Sequence, residues 1–435
     1  MEVFARLESE VRLYSRHLPV VFARARNALM YDEAGNEYVD FFSGSGALNY
    51  GHNNPRLKRA VIEYLEDDGI LHSLDMATVA KRRFLERFAA VILAPRGLRY
   101  KIQHTGPTGA NAVEAALKLA RKVTRRTNVV CFFNAFHGLS LGALPFTGSA
   151  DKRQAAGVPL CYALPVPYEG CAAAGGDSLG HLESVLAGCA LSRDLPAAIL
   201  LETVQAEGGI RVASDRWLRA VAALAQRYGV LLIVDDIQAG CGRTGTFFSF
   251  EPAGIVPDLV TISKSIGGLG LPMSLVLIKP ELDQWQPGEH TSTFRGINLA
   301  FVAATEALAA YWEDGGFEQE VLRKGELTRR RLGEIARRHP EAVAGIRGRG
   351  LINGLHLAPP ELARQVVAAA FRRGLVIETV GPLADVVKLL PPLTIEDADL
   401  ERGLERLAEA LDEALAGASL AAAAVKEASP QGATA

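Results

Sequence analysis

The sequence predicts an α/β protein with two packed domains, the larger of which is built on a mostly parallel sheet. The chain has 435 residues, of which 49% are apolar. This length is too great for one ordinary core and the apolar fraction is enough to bury sizeable ones. Short apolar runs alternate with helical patterns between about residues 70 and 290, as is typical of a parallel sheet covered on both faces. These runs are Val129–Phe133, Ala198–Leu201, Val230–Val234, Leu259–Ile262 and Leu275–Ile278.

Residues 1–50 are predicted to form an arm that packs with the smaller domain. The arm carries a short hairpin over Leu29–Phe42, where apolar flanks enclose a polar turn. A helix follows, which Asn54 caps and whose first turn suits Pro55. Further along the chain, Gly229 ends a helical pattern and leads into the third apolar run, because glycine is the usual residue just after a helix C-terminus.

From about residue 300 the pattern changes to long helices around a few short strands. We therefore expect a large domain over residues 51–300 and a smaller α/β domain over residues 301–416, which the N-terminal arm completes. The Ala-rich segment 417–435 is predicted to be a disordered tail.

Composition and charge exclude several classes of function. The net charge is −2 at neutral pH, so nothing indicates binding to nucleic acid or to an anionic membrane. The N-terminus lacks the apolar core of a secretory signal, and no stretch approaches about 18 uninterrupted apolar residues. The five cysteines form no C-x-x-C pair and no zinc-like spacing, which predicts reduced thiols in a cytoplasmic protein.

Ligand sites of open α/β sheets lie beyond the carboxyl ends of the strands, and polar segments of this chain occupy such positions. The first is a glycine-rich turn that opens into a helix over Thr105–Arg121. Free backbone N–H groups and the helix dipole at such a start attract anions, and Thr108 would add a hydroxyl. The turn matches neither a Walker loop nor a dinucleotide fingerprint, and a plain capped turn is the alternative.

An acidic residue and a lysine end two successive apolar runs. Asp235, partly buried, would need a cationic partner such as a protonated ring nitrogen. A structural ion pair or a metal ligand is the alternative, although no His or further carboxylate stands at ligand spacing. Lys264 could form a Schiff base with a cofactor and shuttle protons, and a surface lysine is the alternative.

The fourth segment, Asn134–Gly138, follows the first apolar run and offers Phe136 as an aromatic face. An ordinary core Phe beside a satisfied His is the alternative. Together the segments supply an anion site, an aromatic face, a carboxylate for a ring nitrogen and a lysine for an aldehyde. Pyridoxal phosphate needs this set of groups, so we predict that cofactor and no metal.

On these motifs the chain resembles the class III aminotransferases of fold type I over residues 25–415. The resemblance implies a large domain with a mostly parallel, seven-stranded sheet. Within the class it is most similar to diaminobutyrate–2-oxoglutarate aminotransferases, since Asp-Asp-Ile-Gln stands at 235–238 where the class usually has Asp-Glu-Ile-Gln. The matching stretches are Leu48–Pro55, Leu74–Thr78, Gly106–Glu114, Val234–Gly245 and Thr293–Phe301.

The resemblance implies roles for the cofactor-binding residues. Lys264 would hold the cofactor and carry a proton between it and the substrate, and Asp235 would keep the ring nitrogen protonated. Thr293 would reach the phosphate bound by a neighbouring subunit, so that a homodimer or a dimer of dimers shares the active site. The other implied contacts are Thr108, Gly109 and Ala110 at the phosphate, Phe136 and Ile237 on the ring faces, Gln238 at the phenolic oxygen, and His137 and Glu202 nearby.

Two departures from the class concern the substrate. Leu139 and Lys388 stand where the class often has arginines that hold a substrate carboxylate. A lysine lacks the bidentate fork of arginine, so Lys388 and Arg295 are the candidates for this contact, with Ser45 as a further substrate contact. Glu207 matches the acid that pairs with a base and releases it when glutamate binds.

The resemblance implies transfer of the amino group of L-glutamate to L-aspartate 4-semialdehyde, which gives L-2,4-diaminobutyrate and 2-oxoglutarate. One alternative is a class III transaminase of another ω-amino acid or diamine, such as ornithine, 4-aminobutyrate or putrescine. Others are a mutase, racemase or decarboxylase on the same fold. A non-enzymatic cofactor-binding relative is a further alternative, against which the intact Lys264 and Asp235 count.

Overall fold

The structure is a computed structural model that describes residues 1–171 and 175–428. The helices are α1 (Glu2–Leu7), α2 (Tyr14–His17), α3 (Ser43–Gly46), α4 (Pro55–Glu66), α5 (Val79–Phe88), α6 (Gly109–Thr124), α7 (Ala150–Gln154), α8 (Ser178–Leu191), α9 (Asp215–Tyr228), α10 (Asn298–Tyr311), α11 (Gly316–Arg338), α12 (Pro360–Arg372) and α13 (Asp397–Ala428). The strands are β1 (Phe22–Arg26), β2 (Leu29–Asp32), β3 (Glu37–Asp40), β4 (Lys101–His104), β5 (Val129–Phe132), β6 (Ala163–Val166), β7 (Ala198–Leu201), β8 (Val204–Gln205), β9 (Arg211–Val212), β10 (Leu231–Asp235), β11 (Leu259–Ile262), β12 (Leu275–Ile278), β13 (Val343–Arg349), β14 (Ile352–Leu357), β15 (Leu375–Val376), β16 (Glu378–Val380) and β17 (Val386–Leu389).

The large sheet has seven strands in the order β4-β12-β11-β10-β7-β5-β6. Only β12 runs against its neighbours within it. The five predicted apolar runs are its five inner strands, and each of their residues is buried apart from the first residue of β10. The predicted mostly parallel, seven-stranded sheet is therefore confirmed.

The local signals at helix ends also have the expected geometry. The side chain of Asn54 accepts hydrogen bonds from the backbone N–H groups of Arg56 and Leu57 at the start of α4. Gly229 ends α9 with a φ of 60°, a left-handed conformation that favours glycine. These two caps set where the flanking loops leave the helices.

The parallel arrangement brings several chain segments to one edge of the sheet. Asp235 is the last residue of β10 and lies opposite Thr261 of the neighbouring β11. Lys264 follows β11 by two residues, Phe136 follows β5, and α6 begins shortly after β4 ends. Because the carboxyl ends of these strands lie at the same edge, their following residues meet there.

The smaller domain is built from the N-terminal arm and the C-terminal part of the chain, as predicted. Strands β1, β2 and β3 of the arm form one sheet with β15, in which Val39 pairs with Leu375. Val39 and Phe41 of the arm share a buried apolar core with Leu355 and Leu404. A second sheet, in the order β13-β14-β17-β16, is antiparallel.

The expectation of disorder from residue 417 stays a prediction, and the first part of that segment belongs to a helix. Helix α13 continues to Ala428, since this stretch is rich in alanine, the residue with the highest helix propensity. Residues 429–435 of the predicted tail lie outside the described residues. Among the residues that the structure describes, no helix is long and apolar enough to cross a membrane.

Candidate active site

The segments singled out from the sequence meet at one pocket at the carboxyl edge of the large sheet. The pocket has a cavity of about 150 Å³. Its lining residues are Gly109, Ala110, Phe136, His137, Gly138, Glu202, Val204, Ala206, Glu207, Asp235, Ile237, Gln238, Ala239 and Lys264. Residues that are far apart in the sequence thus line one pocket.

Asp235 is buried and held in a fixed orientation. Its carboxylate accepts hydrogen bonds from Nδ1–H of His137 at 2.7 Å, from the hydroxyl of Thr261 at 3.2 Å and from the backbone N–H of Ile237 at 3.2 Å. The other ring nitrogen of His137, also buried, has no hydrogen-bond partner among the described residues. The carboxylate of Asp235 is therefore fixed in the lining of the pocket by hydrogen bonds from three neighbouring residues.

Lys264 lies at the start of a short 3₁₀ turn directly after β11, with a φ of 55°. Such a left-handed conformation is uncommon outside glycine and is found at functional sites. Its ammonium group donates to the backbone oxygen of Ser45 at 2.8 Å. Burial lowers the pKa of Lys264 to about 8, against the opposing effect of the Glu207 carboxylate. Burial therefore favours the neutral amine of Lys264 more than that of an ordinary lysine.

The N-terminus of α6 forms the end of the pocket where an anion would bind. The backbone N–H of Thr108 donates to the side chain of Asn111 at 3.1 Å and closes a capping box. Gly109 packs tightly, because a Cβ there would lie 2.9 Å from the side chain of Ile237. Thr108 is exposed and bonds to Asn111, so its hydroxyl stands at the edge of the pocket rather than in its lining.

Phe136 and Ile237 both line the pocket and are the two apolar residues predicted to flank a flat ring. The backbone N–H of Phe136 donates to a carboxylate oxygen of Glu202 at 3.0 Å. The ammonium group of Lys152 lies 4.9 Å from the centre of the Phe136 ring, a cation–π contact. The sequence analysis did not single out Lys152, because nothing in the local pattern of α7 distinguishes it from a surface lysine.

Glu202 and Gln238 contribute polar side chains to the lining of the pocket. Burial, and then the neighbouring charge of Asp235, raise the pKa of Glu202 well above its ordinary value. The side-chain amide of Gln238 donates to the backbone oxygen of Ser45 at 3.0 Å and lies 3.4 Å from Glu207. Its side-chain oxygen has no hydrogen-bond partner among the described residues, so one buried acceptor of the pocket is open to a ligand.

The ammonium group of Lys388 lies between the carboxylates of Glu207 and Glu378. Its ammonium group is 2.6 Å from Glu207 and 2.7 Å from Glu378. The Lys388 side chain is only 1% exposed. The predicted pairing of Glu207 with a base is therefore present, and Lys388 is that base.

Glu378 and Tyr14 are two residues of this region that the sequence analysis missed. Glu378 lies opposite Lys388 in the pairing of β16 with β17, and the hydroxyl of Tyr14 is 3.5 Å from its carboxylate. No local motif marks either residue. Their positions follow from strand pairing and from the packing of the arm against the C-terminal part of the chain.

Thr293 and Arg295 do not reach the pocket of their own chain. The backbone oxygen of Thr293 accepts from His72 at 2.7 Å, and Arg295 forms an ion pair with Asp75. The segment that carries them packs against residues 71–76, where the backbone N–H and the hydroxyl of Ser73 both donate to the backbone oxygen of Gly296. In the single chain Arg295 is paired with Asp75, and both its contact with a substrate carboxylate and a role of Thr293 towards a neighbouring subunit stay predictions.

The second acid of the Asp-Asp-Ile-Gln motif has a structural position. The carboxylate of Asp236 is buried and accepts from the backbone N–H of Ser249 at 3.1 Å and from its hydroxyl. Burial raises the pKa of Asp236 to about 7. Within the part of the chain that the structure describes, no group of three or more His, Cys, Asp or Glu side chains could hold a metal ion.

Comparison with known proteins identifies the family of this chain. The model of the family "Aminotransferase class-III" matches residues 12–411. A diaminobutyrate–2-oxoglutarate transaminase of Bordetella parapertussis is 54% identical over 427 residues, which cover 98% of each chain. One from Streptomyces anulatus is 56% identical over 413 residues, which cover 95% of this chain and 98% of the relative.

Solved structures give the same result for the fold. An ornithine aminotransferase from Toxoplasma gondii, crystallised with partial occupancy of PLP, superposes with a TM-score of 0.83 at 26% identity and covers 96% of this chain and 94% of its own. A Bacillus anthracis aminotransferase superposes with a TM-score of 0.84 at 24% identity over 95% and 98% of the two chains. The chain therefore belongs to the class III aminotransferases of fold type I and is a pyridoxal-phosphate-dependent transaminase.

Proposed function

We propose that this enzyme transfers the amino group of L-glutamate to L-aspartate 4-semialdehyde and so forms L-2,4-diaminobutyrate and 2-oxoglutarate. The observation that carries the proposal is the pocket itself, whose lining holds both Lys264 and Glu207, with Glu207 in an ion pair with Lys388. The relatives that are 51–56% identical over nearly the whole chain, all named for this reaction, support the choice of substrates.

The residues of the pocket fit pyridoxal phosphate. Asp235 would face the ring nitrogen, Phe136 and Ile237 would lie on the two ring faces, and the start of α6 at Gly109 and Ala110 would bind the phosphate. The structure supports this fit by the unpartnered side-chain oxygen of Gln238 among the described residues. It also leaves no room for a side chain at position 138, where a Cβ would lie 2.8 Å from Ala110.

When bound, pyridoxal phosphate supplies an aldehyde and an electron-withdrawing ring. The residues of this chain would supply the remaining functions. Asp235, oriented by His137 and Thr261, would keep a proton on the ring nitrogen through its negative charge. Lys264 would take a proton from the substrate carbon and return it, which its pKa of about 8 allows near neutral pH.

Two different substrates, glutamate and L-aspartate 4-semialdehyde, must use the same pocket in turn, and Glu207 is the residue that would adapt it. With Glu207 on Lys388, the cation is covered and does not attract a further anion. When glutamate binds, a carboxylate of glutamate would replace Glu207 on Lys388. Ser45 would contribute through its backbone oxygen, which accepts from Lys264 and Gln238 and so links the two sides of the pocket.

We include in this proposal a homodimer or a dimer of dimers whose subunits share the active site. Large apolar side chains near Thr293 are exposed in the single chain, and such patches mark subunit interfaces. They are Ile70, Leu71, Leu74, Met76, Val79 and Phe294. A cytoplasmic location is part of the same proposal, because the five cysteines are unpaired and unpaired thiols are usual in that compartment.

The reaction is tested by incubating the purified, cofactor-loaded enzyme with glutamate and L-aspartate 4-semialdehyde and quantifying both products by mass spectrometry. We expect diaminobutyrate and 2-oxoglutarate in equal amounts, and neither product with a Lys264→Ala control. Formation of 2-oxoglutarate only with another acceptor would retain the transaminase and overturn the proposed substrate. Conversion without any keto acid would favour a mutase or racemase.

A further inference from the structure

Glu207 lies in a tight turn, residues 206–210, that joins the paired strands β8 and β9. We call it the Glu207 turn. Ile210 in this turn has a φ of 54°, and its side chain is fully buried. A β-branched residue in this left-handed conformation is strained and persists only where its surroundings hold it. The contacts that hold the turn therefore determine the position of the Glu207 backbone.

Arg347 of β13 supplies one of these contacts. Its guanidinium group donates to the backbone oxygen of Gly209 at 2.8 Å. Gly354, the partner of Arg347 in the pairing of β13 with β14, packs against Ile210, since a Cβ there would lie 2.9 Å from the Ile210 side chain. Arg347 does not line the cofactor pocket, and lines instead a separate cavity of about 280 Å³. It therefore acts on Glu207 through the backbone of the turn.

A histidine and an acid fix the Arg347 guanidinium group in turn. Nη2 of Arg347 lies 3.1 Å from Nδ1 of His356, and Nε2 of His356 lies 3.0 Å from the carboxylate of Asp385. Because arginine can only donate hydrogen bonds, Nδ1 of His356 accepts, and Nε2 carries the proton that is donated to Asp385. The three side chains thus form a continuous hydrogen-bonded series that ends at Gly209.

This series begins in the loop that precedes the Lys388 strand. Asp385 and Gly381 both belong to residues 381–385, which join β16 to β17, and β17 carries Lys388. The backbone N–H of Gly381 donates to the backbone oxygen of Glu207 at 3.0 Å. The loop and the Glu207 turn are therefore joined twice, once by Gly381 and once through the series that contains Arg347. Both connections fix the backbone of Glu207 relative to Lys388, whose ammonium group its carboxylate contacts at 2.6 Å.

We propose that Arg347 is a positioning residue that holds the Glu207 turn in place, so that Glu207 covers Lys388 whenever no substrate carboxylate occupies it. This inference rests on the function proposed above and names the residue that sets the resting state of its switch. A fixed backbone lowers the entropic cost of forming the ion pair. Without Arg347 the strained turn relaxes, and formation of the pair must also order the backbone. Lys388 is then uncovered for more of the time.

This loss has opposite consequences for the two amino donors of the reversible reaction. Glutamate places a carboxylate on Lys388 in competition with Glu207, so a weaker Glu207–Lys388 pair favours glutamate. L-2,4-diaminobutyrate reacts at its terminal amine, which has no carboxylate beside it, and uses the pocket with Lys388 covered. A buried cation without its partner disfavours that state. The ratio of the glutamate rate to the diaminobutyrate rate therefore rises, whereas general damage to the enzyme lowers both rates alike.

The test compares the wild-type holoenzyme with Arg347→Met, which keeps an unbranched side chain and removes the donors. Single-turnover rate constants per molar donor are measured by stopped-flow absorbance with glutamate and with diaminobutyrate separately. Substitutions that act on a coupled element shift its equilibrium by about 2- to 30-fold. We expect the glutamate-to-diaminobutyrate ratio to rise by about that factor.

A double-mutant cycle tests whether Arg347 acts through Glu207. In a Glu207→Ala background there is no acid to place on Lys388. Adding Arg347→Met to this background should therefore leave the ratio where Glu207→Ala alone puts it.

Two further variants complete the comparison. Arg211→Met is the matched control, because Arg211 lines the same cavity and its Nε has no hydrogen-bond partner among the described residues; it should keep the wild-type ratio. Arg347→Lys retains a donor but lacks the fork that serves Gly209 and His356 together. Its ratio should lie between those of wild type and Arg347→Met, and it replaces the methionine variant if that variant does not fold.

A wild-type ratio in Arg347→Met, or in Arg347→Lys where it has to serve alone, would overturn the inference. Equal losses with both donors, or a shift of the ratio that persists in the Glu207→Ala background, would also overturn it. If the wild-type enzyme reacts with neither donor, the proposed function fails first. The two failures are distinguishable because the wild-type rates are measured separately from the variant ratios.

Discussion

Replacing Lys388 by methionine isolates the energetic role of the cluster that Lys388 forms with Glu207 and Glu378. Methionine is of similar length and fills the same buried space without a charge. It leaves Glu207 and Glu378, which both contact the lysine ammonium group, without their shared cation. Removing one partner of a buried ion pair destabilises a protein strongly, because the remaining charges are then uncompensated.

The size of the effect follows from the loss of a buried cation. Breaking a buried ion pair by removing one partner costs about 3–5 kcal/mol. Burial raises the pKa of Glu207, but Lys388 and then Lys264 outweigh burial and lower it. Because Lys264 remains as a second cation near Glu207, we expect Lys388→Met to lose about 2–3 kcal/mol near pH 7.5.

The pH dependence has a defined sign. An acid with a lowered pKa stabilises the folded state above its ordinary value of 4.5, and this contribution disappears as the pH falls towards 2. In the variant, the lysine that lowers the Glu207 pKa is absent, and burial already raises the pKa of Glu378. Both acids can then take up protons in mild acid. The stability difference from wild type should therefore shrink between pH 7.5 and pH 5.

Urea unfolding followed by circular dichroism measures this difference at the two pH values. Glu378→Gln/Lys388→Met serves as the matched control, because it removes one of the two repelling acids and should recover at least half of the lost stability. A Lys388→Met variant as stable as wild type at pH 7.5 would refute the reasoning. So would a loss that is the same at pH 5, or a double variant less stable than the single one.

Three further results are expected from changes around the cofactor site. Covalent loading of the cofactor-free protein with pyridoxal phosphate should accelerate with rising pH and level off above about 8, the pKa to which burial brings Lys264. Because the Glu207 carboxylate raises the pKa of Lys264, Glu207→Gln should shift the midpoint of this pH profile to lower pH. Stopped-flow absorbance measures both rates. Asp235→Asn should reduce kcat by about 100- to 1000-fold in a steady-state assay with saturating cofactor, and a loss below tenfold would contradict a role at the ring nitrogen. Gly138→Ala should raise the Kd of the cofactor at least about tenfold in a fluorescence titration, because φ is 124° and a Cβ would lie 2.8 Å from Ala110. An unchanged Kd would exclude the proposed phosphate site at the start of α6.

The inner strands of the large sheet could be predicted from the sequence, whereas its edges could not. The five inner strands are buried on both faces and appear as runs that are apolar apart from Thr261 in β11 and Asp235 at the end of β10. Strands β4 and β6 lie at the two ends of the sheet. Their exposed or half-buried positions admit Lys101 and Gln103 in one and Pro165 in the other. Edge strands tolerate such residues because one side forms no ladder, and the apolar signal is then lost.

The same contrast holds for the candidate site. Asp235 ends one buried strand, and Lys264 and Phe136 follow two others within a few residues, so the geometry of parallel sheets is enough to predict that they meet. Glu378 depends instead on the pairing of two short C-terminal strands, and Tyr14 on the packing of the arm. Long-range pairing of this kind leaves no local pattern.

Arg295 shows the limit of reasoning from charge alone. The sequence shows a cation near a family motif, but its partner Asp75 lies 220 residues away in the chain. Their ion pair holds the arginine away from the pocket of its own chain. The choice between a substrate carboxylate and a protein carboxylate depends on tertiary structure.

The most direct test of the central claim follows the visible absorption band of the cofactor-loaded enzyme after addition of single amino donors. The panel holds glutamate, L-2,4-diaminobutyrate, ornithine, 4-aminobutyrate and putrescine, without any acceptor. We expect glutamate and diaminobutyrate to remove the band and the other three to leave it in place. A band that persists with both glutamate and diaminobutyrate would contradict the proposed reaction, and loss with ornithine or 4-aminobutyrate instead would assign the pocket to a different donor.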